Sequence, residues 1–281
     1  MPRRLVAIVM IVSAGMLAIG TLRDPKAASA TVSPPAFGIV GVDGTHLAAE
    51  RAAGVSTLLF EIRWSDYEPQ QGIVDQAYLS AARSRLAAMR QAGFRVVLEA
   101  GLASTPTWVF ALDGNTRFVN QYGDVYHGLS AGDPANGVFD SSVRSAQAGY
   151  IAQLAHDFGD VFDTIRVGGL EDDELRYPGP SYNGHSNSYW SFDADAQAAS
   201  PVPGWRPGQA GTTQASSFLD YYLQGLTGYQ NWLIGAYRSH FSAWLQVLYP
   251  SWGLRPPWPT RPGWSGRTTA STPCTRARPG T

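Results

Sequence analysis

The sequence predicts an α/β chain built on a parallel sheet, and three observations predict it. A module of helix end, Gly, strand and Glu recurs, as AAGVSTLLFEI and QAGFRVVLEAG. Each strand candidate is a short continuous apolar run, the pattern of strands buried on both faces. Helical periodicity alternates with these runs, which makes βα units and parallel strands.

The elements follow in order. Pro34 and Pro35 close a leader, and residues 36–42 read as a first strand that ends at Asp43-Gly44. An Ala-rich helix over 47–53 stops at Gly54, where a residue without Cβ suits a left-handed cap. The strand 55–62 (VSTLLFEI) carries Glu61 near its end. Asp75 caps a helix whose apolar positions Leu79, Ala82, Leu86 and Met89 keep helical spacing, and Gly93 ends it. The strand 94–98 follows, again with an acid, Glu99, at its carboxyl end. Asp140 caps a third helix marked by Val143, Ala146, Tyr150, Leu154 and Phe158, and the strand 164–167 runs into GGLEDDELRYP. A helix over 218–237 leads to a fifth strand at 244–249. The whole reads as a TIM (β/α)8 barrel, incomplete at about five strands. In such sheets function sits at the carboxyl ends of the strands. The two longest loops, 101–139 and 169–216, lie there.

Composition narrows the function classes. The chain has 281 residues, 44% hydrophobic and 15% charged, enough apolar content to bury a core. One Cys, Cys274, excludes an internal disulfide framework. The net charge is −1, but Arg3, Arg4, Arg23 and Lys26 outweigh Asp24 at the start, and five Arg stand unopposed after Gly253. The body between is therefore acidic, which argues against a nucleic-acid partner.

Arg3 and Arg4 precede a small and apolar run over 5–20, followed by Ala28-Ser29-Ala30. This is the order of a secretory signal peptide over 1–30, with cleavage expected after Ala30 and a secreted, extracellular product. The signal segment is the sole expected membrane contact, because the run is shorter than the ~20 residues of a spanning helix.

Acids at successive strand ends, Asp43, Glu61, Glu99 and Glu171 to Glu174, point to acid/base work on a neutral polar substrate. The loops beside them are rich in aromatic and amide residues, among them Trp108, Tyr122, Tyr126, Asn183, His185 and Trp190. Sugars offer flat apolar faces ringed by hydroxyls, and such side chains suit a carbohydrate cleft. The expected partner is a carbohydrate substrate, with no cofactor and no metal. The five His are scattered without ligand spacing, and no H-E-x-x-H, P-loop or G-x-G-x-x-G after a strand occurs.

These residues carry a family resemblance. The W-x-x-Y-E-P-x-x-G element at 64–72, the P-x-W at 106–108 and the FVNQYG at 118–123 resemble the amino-terminal half of family 42 β-galactosidases among the glycoside hydrolases. VGGLEDDELRYP is similar to the G-x-x-G-E-L-R-Y-P of β-amylases, whose Glu donates a proton. The resemblance covers about 37–253. It implies Glu174 as the acid/base residue, with Glu171 as runner-up, and Trp64, Glu68, Trp108, Asn183, His185 and Trp190 as sugar contacts. A β-galactoside or similar oligosaccharide is the implied substrate, cleaved with retention; the β-amylase likeness implies inversion on an α-glucan. The third reading is a noncatalytic or defunct carbohydrate-binding homologue. No Asn precedes Glu171 or Glu174, and Asp173 stands where β-amylases have Gly. Like charge between Asp173 and Glu174 is expected to raise the proton affinity of that pair.

Glycoside hydrolysis needs two carboxylates, and the resemblance puts the second on a late strand. No Asp or Glu follows Asp220, so that nucleophile is absent from this sequence. The barrel segment is assigned to 31–252. The stretch 253–281 is Pro-, Arg- and Thr-rich and expected to be disordered, reading as a foreign or frame-shifted ending of a truncated gene or as a basic linker.

Overall fold

The computed structural model describes residues 37–128 and 132–250. The expected signal peptide and the basic tail, with Cys274, lie outside them. Five strands form one parallel sheet in the order β1 (Phe37–Ile39), β2 (Val55–Glu61), β3 (Arg95–Glu99), β4 (Thr164–Val167) and β5 (Trp244–Val247). Each pairs with its neighbours in sequence, all parallel, which is the progression of a βα barrel wall.

Helices α1 (Leu47–Ala52), α2 (Trp64–Tyr67), α3 (Gln76–Gln91), α4 (Ser141–Phe158), α5 (Ala194–Ala199) and α6 (Thr212–Arg238) join the strands. The α3 stripe lands as its spacing predicts: Leu79, Ala82, Leu86 and Met89 are its buried positions. Burying each of the larger ones contributes roughly 1.5–3 kcal/mol. The Asp75 carboxylate accepts from the Tyr78 N–H at 2.9 Å, and Asp140 accepts from the N–H groups of Ser142 and Val143, so both expected caps are in place.

Three boundaries differ from expectation by two residues or more; the others move by one at most. The first strand is shorter than 36–42, since only Phe37–Ile39 pairs with β2. β5 ends at Val247, and Leu248 turns to accept from Leu175 in the loop after β4. The sixth helix starts at Thr212, ahead of 218, because its first turns carry Thr, Gln and Ser with no apolar stripe to read.

The core lies between sheet and helices. Phe60, Leu98 and Ile165 are fully buried, and the Phe60 ring meets that of Phe158 in α4 at 5.7 Å. Alternation then turns Glu61, Glu99, Arg166 and Gln246, which share one register row, to the opposite face of the sheet.

Candidate functional site

That row forms the first part of the site. The Arg166 guanidinium lies against the Glu99 carboxylate, the strand-end pairing of adjacent β3 and β4 positions. Asp173 sits behind the pair and accepts from the Ala103 N–H at 2.9 Å. Burial pushes the Glu99 carboxyl up to about 7, with the Asp173 charge adding to the rise and Arg166 opposing it. Burial also raises Asp173 to about 6, against its Ala103 hydrogen bond. The rise at Asp173 thus comes first from desolvation, whereas the sequence pointed to repulsion by Glu174.

The second part is the loop GGLEDDELRYP, and its glycines are there for close approach. A Cβ on Gly168 would stand 1.6 Å from the Asp173 carbonyl oxygen, and one on Gly169 would strike Leu102 at 2.7 Å. The chain turns through Asp172 and Asp173 with φ of 56° and 54°, left-handed values that cost non-Gly residues energy. This brings three carboxylates round one cation. Arg176 lies 3.1 Å from Glu174 through Nε, 3.7 Å from Glu171, and against Asp172. Glu171 is 7% exposed, and its carboxylate accepts from the Gly179 N–H at 2.7 Å. The Glu174 side chain is 27% exposed. Sequence reasoning left Arg176 without a role, although its place two residues after Glu174 was a usable signal.

The expected sugar contacts separate into three places. Trp64 and Trp190 are fully buried: Trp64 stacks on Tyr150 at 4.9 Å, and Trp190 donates to the Gly179 carbonyl at 3.1 Å. Neither presents a face to a ligand here, because in both the indole N–H has an internal partner and the ring fills the core. Glu68 holds the W-x-x-Y-E-P-x-x-G turn together, accepting from the Trp64 indole at 2.9 Å and from the Gly72 N–H at 2.7 Å. Trp108 donates to the Glu68 carbonyl at 3.0 Å and remains partly exposed. Glu68 and Trp108 line a cavity of about 580 Å³ beside α4.

Asn183 and His185 sit where the two long loops meet. The His185 ring stacks on Tyr122 at 4.1 Å, and its Nδ1 lies 2.8 Å from Asp124. Asn183 also donates to Asp124, at 3.3 Å. Hydrogen bonds from these groups hold the Asp124 carboxyl below its usual range, that of Asn120 foremost. Gln121 donates to the Asn187 carbonyl and accepts from the Tyr189 N–H, tying the two loops together. Asp43, by contrast, spends its carboxylate on a local turn with Thr45.

Comparison with known proteins gives the fold a context. Neither a family profile nor a curated sequence matches this chain. Among solved structures it is similar to the catalytic domain of β-amylase from Paenibacillus polymyxa, with TM-score 0.59 and 15% identity over 75% of this chain. It is similar to β-galactosidase from the psychrophilic Marinomonas ef1, with TM-score 0.56 and 14% identity over 75%. A β-galactosidase from the Antarctic haloarchaeon Halorubrum lacusprofundi gives 0.53 and 15% over the same share. The fold is therefore of the α/β barrel type that these structures share. The chain spans 65% of the amylase domain and 36% and 35% of the two galactosidases.

Proposed function

We propose that this chain is an exported glycoside hydrolase homologue that acts on an O-glycosidic bond of a β-galactoside or similar oligosaccharide, with turnover limited by the second carboxylate that this sequence lacks. The observation that carries the reading is the pair of carboxylates Glu61 and Glu99 at the carboxyl ends of β2 and β3, faced by Arg166 of β4, on a fold whose solved neighbours are β-amylase and β-galactosidases. Acids on that rim are where a barrel performs proton transfer.

Glu174 is our candidate acid/base residue. Of the two acids that the resemblance singles out it has the more open side chain, whereas Glu171 is buried under Gly179 and bound to its N–H. Glu174 would give its proton to the leaving oxygen as the glycosidic C–O bond breaks, water would form the new C–O bond at the anomeric carbon and return a proton to Glu174 through solvent, and the three-carboxylate cluster around Arg176 would keep the mouth of the site negative. Asn183 and His185, tied to Asp124 where the two long loops meet, would meet sugar hydroxyls there.

A turnover assay on aryl galactosides and glucosides tests this. Glu174→Gln should lower kcat by at least about a hundredfold, in line with removal of a general acid, while Glu171→Gln mainly destabilises the loop. Loss of turnover in Glu171→Gln alone would reverse the assignment. Proton NMR of the first anomer released distinguishes retention, as the galactosidase likeness implies, from β-amylase-like inversion. Oligosaccharide binding with no turnover would support the noncatalytic reading, which the burial of Trp64 and Trp190 does not oppose, since both are spent on the core.

A further inference from the structure

The cavity beside α4 is not part of the strand-end rim. It shares no lining residue with the register row and lies between the turn after α2, the 3-10 segment Thr107–Ala111 and one face of α4. Its volume of about 580 Å³ falls within the roughly 300–1,000 Å³ of small-molecule sites.

Its floor contains Gly149, in the middle of an 18-residue helix where glycine is unfavourable. A Cβ there would meet no atom within 4 Å, so no packing inside the protein explains the glycine. What its absence of side chain does is leave the floor open. The wall is the Trp108 indole, fixed by its hydrogen bond to the Glu68 carbonyl and by an edge-on contact with Trp64 at 5.8 Å. No Lys, Arg or His lines the cavity. Its one charged residue, Glu68, has both carboxylate oxygens engaged, by Trp64 and by Gly72. The remaining polar side chains are the uncharged Gln71, Ser145 and Gln153, with Ser142 and Tyr150, whose hydroxyls are spent on Asp140 and on the Ala100 carbonyl. A fixed indole, a clear floor and uncharged amides and hydroxyls suit a ligand with flat apolar faces and many hydroxyls.

We propose that this cavity is a second, noncatalytic binding site for a neutral oligosaccharide, separate from the rim and independent of whether the rim turns substrate over. The test is calorimetric titration of the full chain with β-1,4-galactotriose, maltotriose and, as a charged control, trigalacturonic acid. The expected result is a binding event for a neutral trisaccharide that persists in Glu174→Gln and weakens about tenfold or more in Gly149→Leu and in Trp108→Ala. Gly149→Leu fills the floor without touching the core and should melt no lower than the parent, so its fold is checked by circular dichroism. An isotherm unchanged by Gly149→Leu, preference for the charged trisaccharide, or no neutral binding at all would overturn the proposal. Loss of turnover in Glu174→Gln with the Gly149-dependent event intact bears on the rim alone.

Discussion

Glu99 and Asp173 hold protons at pH values where carboxyls ordinarily do not, and this couples the rim to stability. Their values of about 7 and about 6 stand above the ordinary 4.5 and 3.8, chiefly because burial penalises the charged forms. A group whose folded value is raised contributes stability that is full below its unfolded value and lost as pH rises through the folded one. The melting temperature should therefore fall between about pH 4 and pH 7. Carboxyls held low, such as Asp124 and Asp157, act in the opposite sense and only in more acid solution. Glu99→Gln should flatten the fall, measured by thermal circular dichroism across that range. An unchanged slope would mean that Glu99 does not carry the proton.

At the scale of the element, α4 joins the fold to both candidate sites. Its start is held by Asp140, 1% exposed, which accepts from the Ser142 N–H at 2.7 Å and the Val143 N–H at 3.1 Å. Asp140→Ala should cost about 0.5–2 kcal/mol in urea unfolding, with Asp140→Asn recovering much of it. A midpoint equal to the parent's would remove the cap from the account. The same helix shows what periodicity reveals and what it hides. Val143, Tyr150, Leu154 and Phe158 were legible as core and are buried. Ala146 keeps the same spacing, yet it is only partly buried and lines the cavity as well as packing on the core.

At the scale of the molecule, the sheet has two ends. Among the described residues β5 pairs with β4 alone and β1 with β2 alone, while Trp244 is 80% and Phe37 65% exposed. Unpaired edges with apolar side chains template association. Trp244→Lys should lower the apparent mass in concentration-dependent light scattering, whereas equal masses for parent and variant would show that this edge does not drive contact.

The βα alternation, the strand-end acids and the two principal caps were determined by the sequence itself, because periodicity and capping act within a few residues along the chain. The use of each site residue was decided only by tertiary structure. Trp64, Trp190 and Trp108 look alike in sequence, and only packing puts the first two in the core and leaves the third at a cavity. Likewise Glu171 and Glu174 lie three residues apart, and their different exposure follows from the left-handed turn through Asp172 and Asp173 and from Gly179 closing over Glu171. Burial and partnership are long-range properties, set by which segments meet, and no local pattern encodes them.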